Sequence, residues 1–228
     1  LTSLYNTLVV ALCASVIAAI LGTAAAMGIY SIRNRWFKSM IMNVTYMPIL
    51  NPEIVMGVSL LLLFVSVNQI GAGITAATGI PMPELNLGYL TLVIAHVTFC
   101  TPYVILNVLP KLRQMDKFVY EAALDLGCSP VMAFFKVIIP EIMPGMATGF
   151  LMALTYSVDD FIISYFVSSA TSQTLPVTIG AMVRKRISPE INALSAIIFV
   201  VVLVVLVAVN LSALRKERLL QKKLGGGV

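Results

Sequence analysis

The sequence predicts an all-α polytopic membrane protein, and three observations carry that prediction. The chain of 228 residues is 59% hydrophobic and only 11% charged, less than half the charge of a soluble domain, which averages about 25%. So few polar groups cannot cover a soluble surface. Apolar residues gather into five stretches, near residues 4–30, 37–67, 87–109, 142–167 and 191–213, each long enough to cross about 30 Å of hydrocarbon. No strand-period alternation runs through them, and open strand edges find no hydrogen-bond partners in lipid. A soluble enzyme or a nucleic-acid module is a poor fit to such a chain. The net charge of +5 and pI near 9.2 read as cytoplasmic loops, with no nucleic-acid partner.

The stretches differ in what interrupts them. The first is an unbroken apolar helix. The second contains Pro48 and Pro52, followed by Glu53; the prolines bend a helix and free backbone carbonyls beside the acid. The third holds the chain's one histidine, His96, which reads as an interhelical hydrogen-bonder because a metal site needs further ligands. The fourth carries Gly145 and Gly149, a spacing that lets helices cross closely, against either a partner subunit or an internal neighbour. It also carries Asp159 and Asp160. Acids inside a span cost about 2.5–3.5 kcal/mol each, so they face a cavity or a partner. On one helix adjacent side chains point about 100° apart, so the pair cannot share one lipid-facing direction. Two readings stand: the acids line a path for a cation with Glu53, Tyr156, Phe161 and Tyr165, or one of them caps a helix or pairs with a base such as Arg184. Cys13, Cys100 and Cys128 match neither a disulfide framework nor a metal-site spacing. Met56, Met143, Met146 and Met152 read as packing.

Loop charge sets the sides. Arg33, Arg35 and Lys38 follow the first stretch; Lys111, Arg113, Lys117 and Lys136 follow the third; Arg215, Lys216, Arg218, Lys222 and Lys223 follow the fifth. Residues 71–86 have no Lys or Arg. Basic loops stay cytoplasmic, which puts Leu1 outside and Val228 inside. The opposite side keeps only Arg184, Lys185 and Arg186. Residues 176–188 around them read as an interfacial helix on lipid head groups or as a dock for an extracytoplasmic protein. Gly225, Gly226 and Gly227 read as a flexible tail.

The inner loop, residues 111–139, is more than a connector. Glu121-Ala122-Ala123 precedes Gly127, a residue suited to ending a helix in the left-handed conformation. Ser129-Pro130 then supplies an N-cap and a first helical position. The prediction is helix, sharp turn, helix. Ala122 and Ala123 open a face to close approach, and Phe118, Tyr120, Phe134 and Phe135 anchor its edges, as in a helix-in-groove docking element.

The run Glu121-Ala122-Ala123, three residues, Gly127, nine residues, Val137-Ile138-Ile139-Pro140 resembles the EAA loop of ABC importer permeases. Val137 and Ile139 stand where that family has Ile and Leu. A lone Glu-Ala-Ala is a common helix fragment; the spacing through Pro140 and the placement on the basic side make this one specific. Flanking stretches, among them Asn51-Pro52-Glu53-Ile54-Val55-Met56 and Ser157-Val158-Asp159-Asp160, resemble the spermidine/putrescine branch. The resemblance implies the type I ABC importer (MetI-like) permease fold as a single transmembrane domain over 1–228, with residues 111–140 as its coupling loop. That fold has six spans, so a sixth is expected before Leu1. It implies ATPase coupling through Glu121, Ala122, Ala123, Gly127 and Pro140.

The sequence lacks the Gly-x-x-x-x-Gly-Lys-Ser/Thr phosphate loop, so nucleotide chemistry falls to another subunit. The implied chain is therefore a non-catalytic subunit in a bacterial inner membrane. It needs no cofactor of its own, with ATP and Mg held by a partner ATPase dimer. A second permease and an extracytoplasmic substrate-binding protein complete the machine. Its implied cargo is a polyamine, along a path including Asp159, Asp160, Glu53 and Tyr156. The alternatives are another small organic cation or solute, or an ATP-independent channel or transporter.

Overall fold

The computed structural model describes residues 2–185, with Ala196 and Val200; the fifth apolar stretch and the basic tail lie outside the described residues. Leu1–Thr178 form one compact unit, and a second begins at Ile179. The described elements are all helical: α1 (Thr2–Ser31), α2 (Arg35–Leu50), α3 (Glu53–Thr78), α4 (Tyr89–Gln114), α5 (Lys117–Asp125), α6 (Pro130–Ala133), a wide π turn (Phe134–Ile138), α7 (Ile139–Asp159), α8 (Ile162–Val167) and α9 (Leu175–Lys185). Among the described residues, four segments are long and apolar enough to cross a membrane: Thr2–Ser31, Glu53–Thr78, Tyr89–Gln114 and Pro130–Asp159.

The first and third stretches become α1 and α4 nearly as expected. The second and fourth need correction. Residues 37–67 are not one bent span. Asn51 and Pro52 are extended, α2 ends at Leu50, and the spanning helix starts at Glu53 and runs to Thr78. Pro52 has no N–H to continue α2 and disfavours a helical residue before it. Asn34 starts α2, its Oδ1 accepting from Trp36 N–H at 3.0 Å and Phe37 N–H at 3.4 Å. Nor does the fourth span continue to residue 167. Helix α7 ends at Asp159, Asp160 is extended (φ −62°, ψ 119°), and α8 is separate.

Side-chain size, more than polarity, organises the bundle. The buried face of α1 is made of small residues, including Ala11, Ala14, Ala18, Gly22 and Ala26, while Leu4, Leu8, Leu12 and Ile20 are exposed. Lipid is as apolar as leucine, so close backbone approach decides which face turns inward. Helices α1 and α4 run parallel. Near their N-termini Tyr89 Oη donates to Asn6 Oδ1 (2.7 Å), and near their C-termini Ser31 and Met115 border one cavity. Helix α7 lies antiparallel to α4, so that Cys100 Sγ donates to Ala153 O. A Cβ on Gly145 would sit 2.7 Å from Asn107 O and 2.8 Å from Lys111 Cγ; one on Gly149 would sit 3.0 Å from Val104 Cα. The glycine pair therefore serves an internal crossing, α7 on α4.

Gly145→Val is expected to destabilise the chain by about 1–3 kcal/mol, the usual range for overpacking. The measurement is the melting temperature of the detergent-purified protein. An unchanged value would mean that α7 and α4 do not cross so closely.

The crossing pattern gathers the basic residues. Arg33 and Arg35 follow the end of α1, Lys111 and Arg113 end α4, and Lys136 precedes α7. The 79–88 connection between α3 and α4 joins the opposite ends of those helices and holds no Lys or Arg.

Candidate functional site: an acid-lined cavity and a protruding helical elbow

The two helix breaks meet. Pro48, Asn51, Pro52 and Glu53 on one side, and Tyr156, Asp159, Asp160 and Phe161 on the other, line one cavity of about 530 Å³. Thus Glu53, Tyr156, Asp159 and Asp160, all singled out in the sequence, border the same space. Helix α4 closes it with Phe99 and Tyr103. Sequence reasoning missed those two. Their signal was present: aromatic residues four apart, astride Pro102, share a helix face. Tyr103 stacks on Tyr156 with ring centroids 4.4 Å apart. Tyr165, expected among the path aromatics, packs against Phe161 and Phe166.

The three acids do different work. Asp160 is buried, and its carboxylate caps α8, accepting from Ser164 N–H at 2.7 Å and Ile163 N–H at 3.3 Å. His96 Nε2 stands 3.4 Å from Asp160 Oδ2. The same ring places Nδ1 2.5 Å from Ser157 Oγ and Nε2 3.0 Å from Ser164 Oγ. His96 thus pins α4, α7 and α8 at the break, the role of an interhelical hydrogen-bonder. Thr91 Oγ1 adds a second tie from α4, donating to Val167 O at 3.0 Å. Asp160 is committed to this knot. Asp159 and Glu53, by contrast, are exposed at the cavity wall. Glu53 opens α3, where the helix dipole favours an anion, whereas Asp159 closes α7, where it opposes one. A cation beside Asp159 would offset that penalty.

At the other end of α4 stands the elbow. Asp116 Oδ1 accepts from Phe118 N–H (2.9 Å) to start α5. Gly127 ends it at φ +87°, and the chain closes with Cys128 N–H to Ala123 O (3.1 Å) and Gly127 N–H to Leu124 O (2.9 Å). This paired closure is a Schellman turn. Ser129 Oγ then accepts from Met132 N–H, and Pro130 opens α6. Pro140 follows the π turn, in which Ile139 N–H reaches back to Phe134 O. The wider turn moves aside the Lys136 carbonyl that a proline ring would otherwise meet in an α-helix. Glu121 and Tyr120 border a cavity of about 450 Å³ shared with Tyr30, Ser31 and Leu112. Ala122 is exposed and Ala123 half-buried. Phe118 (75% exposed), Leu126 (86%), Val131 and Phe135 present large apolar side chains on this elbow. Among the described residues no cluster of His, Cys, Asp and Glu could hold a metal ion.

Long apolar helices, two helix breaks meeting at an acidic cavity, and a basic end bearing an apolar elbow together describe a polytopic membrane protein. The chain belongs to the family of binding-protein-dependent transport system inner membrane components, whose model matches residues 6–225. It is 41% identical over 192 residues to the putrescine transport system permease protein PotI of Escherichia coli (strain K12), covering 84% of this chain and 64% of that protein. It is 33% identical over 213 residues to the spermidine/putrescine transport system permease protein PotC of the same strain, covering 93% of this chain and 74% of the relative. The corresponding Haemophilus influenzae protein is 35% identical over 202 residues, covering 89% of this chain and 72% of its own length. The chain thus spans under two thirds of the putrescine relative and somewhat more of the other two.

Proposed function

We propose that this chain is a transmembrane permease subunit of an ATP-driven importer of polyamines. The observation that carries the proposal is the cavity at the two helix breaks. Free carboxylates of Glu53 and Asp159 stand there with aromatic faces from Phe99, Tyr103, Tyr156 and Phe161. An alkylammonium chain calls for that pairing: carboxylates for its charges and π faces and methylenes along its length. The relatives' names point to the same cargo. Import proceeds with a second permease, an extracytoplasmic binding protein and a cytoplasmic ATPase dimer that holds ATP and Mg. The exposed apolar elbow is the ATPase contact, because large apolar side chains outside a span mark a protein interface. Glu121, Ala122, Ala123 and Gly127 form it, and Pro140 joins it to α7. The basic loops support a reading in which the elbow and the C-terminus lie in the cytoplasm of a bacterium, with the body in its inner membrane.

The test is ATP-dependent uptake of radiolabelled putrescine and spermidine into proteoliposomes holding the complete complex. Asp159→Asn is expected to cut uptake severely while leaving the amount of assembled complex unchanged. Normal uptake by this variant and by Glu53→Gln would remove the acids from the route. Uptake of a different organic cation in place of both polyamines would correct the cargo, and uptake without ATP would point to a channel.

A further inference from the structure

A second hollow lies next to the acid-lined cavity. It has a volume of about 390 Å³ and is lined by Asn107, Thr148, Leu151, Met152, Thr155 and Tyr156. Tyr156 borders both spaces, and its stacked partner Tyr103 lines the first. Tyr156 is thus their common wall, with Tyr103 stacked on it from the first.

The polar groups of this hollow are one-sided. Thr148 Oγ1 donates to Pro144 O and Thr155 Oγ1 donates to Leu151 O, each at 2.8 Å. Asn107 Nδ2 donates to Tyr103 O at 2.8 Å and reaches Met152 Sδ at 3.7 Å. The threonine and asparagine donors are spent on the protein. What remains is mostly acceptors: two threonine hydroxyl oxygens, the Asn107 amide oxygen, which accepts no hydrogen bond among the described residues, and the Tyr156 hydroxyl, which can both accept and donate. An ammonium group is their complement, with three donors and no acceptor. The hollow also contains no carboxylate, so it holds a cation less firmly than the first cavity does. Its place is informative as well. Asn107 lies between Tyr103 and the basic end of α4, and Thr148 lies nearer the start of α7 than Tyr156 does. The hollow is therefore on the elbow side of the tyrosines.

We infer that this acceptor-rich hollow is a second, weaker alkylammonium site on the transport route, reached from the acid-lined cavity past the Tyr103–Tyr156 stack. The inference rests on the importer reading and extends it to a release site. Passage from charged to neutral ligands loosens the cargo step by step, since conduction needs sites weak enough to leave.

The experiment uses the complete complex in proteoliposomes, in a background that retains uptake with Cys13, Cys100 and Cys128 replaced. Thr148→Cys and Thr155→Cys are each exposed to cationic 2-aminoethyl methanethiosulfonate and to its anionic sulfonatoethyl counterpart during ATP turnover. Both cysteines are expected to react faster with the cationic reagent, and putrescine is expected to slow that reaction. Separately, Thr155→Val is expected to lower the maximal uptake rate several-fold, with Thr155→Ser restoring it. If the reagents modify Asp159→Cys but neither threonine position, the hollow lies off the route while the importer reading stands. No charge preference and no protection by putrescine would also overturn the site. Absence of ATP-driven polyamine uptake by the native complex would overturn the importer reading itself and this site with it.

Discussion

His96→Leu is expected to remove most folded protein from the membrane. The imidazole is fully buried and is hydrogen-bonded to Ser157 and Ser164, with the Asp160 carboxylate 3.4 Å away. Leucine fills the volume but leaves Asp160 buried without that neighbour and two serine hydroxyls without theirs. Breaking a buried pair from one side costs about 3–5 kcal/mol, a large fraction of a typical folding free energy of about 5–15 kcal/mol. Asp160→Leu is expected to be as harmful, because it also uncaps α8 at Ile163 and Ser164. Asp160→Asn keeps an acceptor for one amide and should cost less. The double variant His96→Leu/Asp160→Leu removes both partners and is expected to cost less than the sum of the singles, the signature of a direct interaction. Melting temperatures of the purified variants, with the amount of protein recovered from membranes, give the cycle. Additive losses, or single variants as stable as the native chain, would mean that the knot does not hold the break. Asp160 and Asp159 would separate cleanly here: one variant loses the protein, and the other keeps the protein and loses transport.

That separation shows what sequence could and could not tell. Composition and stretch length revealed α1 and α4 nearly to their ends, because an uninterrupted apolar run has one way to satisfy its backbone in lipid. The elbow was also legible, because Gly127 and Ser129-Pro130 act on their own neighbours. The adjacent aspartates were not. On a continuous helix they would have pointed about 100° apart, but the helix ends between them. What ends it is Asp160 reaching its own downstream amides, fixed by a histidine more than sixty residues earlier. A contact so distant in sequence leaves no periodic trace. The same holds for Phe99 and Tyr103, whose membership in the cavity depends on where α4 meets two separate breaks. The Gly145 and Gly149 spacing announced a close crossing but could not name its partner, and only the neighbouring Asn107, Lys111 and Val104 decide that it is α4.

Gly127→Val is expected to uncouple transport without loss of the protein. At φ +87° a β-branched side chain meets the backbone in a region that costs about 1–2 kcal/mol for an L-residue. Open space surrounds the position, since a Cβ there would meet nothing within 4 Å. The strain is therefore local to the turn and leaves the bundle packing untouched. To relieve it the chain must give up the closure of Cys128 on Ala123 and Gly127 on Leu124. Opening that closure changes the angle between α5 and α6, and with it the arrangement of Phe118, Leu126 and Val131 on the exposed face. On the proposed reading, in which a partner ATPase grips this face, a groove built for one arrangement would grip the other poorly, and ATPase closure would no longer move α7 as a rigid body. The expected readings are a native amount of chain in the membrane, a melting temperature near that of the native protein, continued ATP hydrolysis, and putrescine uptake reduced to background. Gly127→Ala, which carries a smaller side chain into the same strained conformation, should fall between the two. Native uptake by Gly127→Val would show that the elbow's angle does not transmit the stroke, and a large loss of chain from the membrane would show that the turn holds the fold together instead.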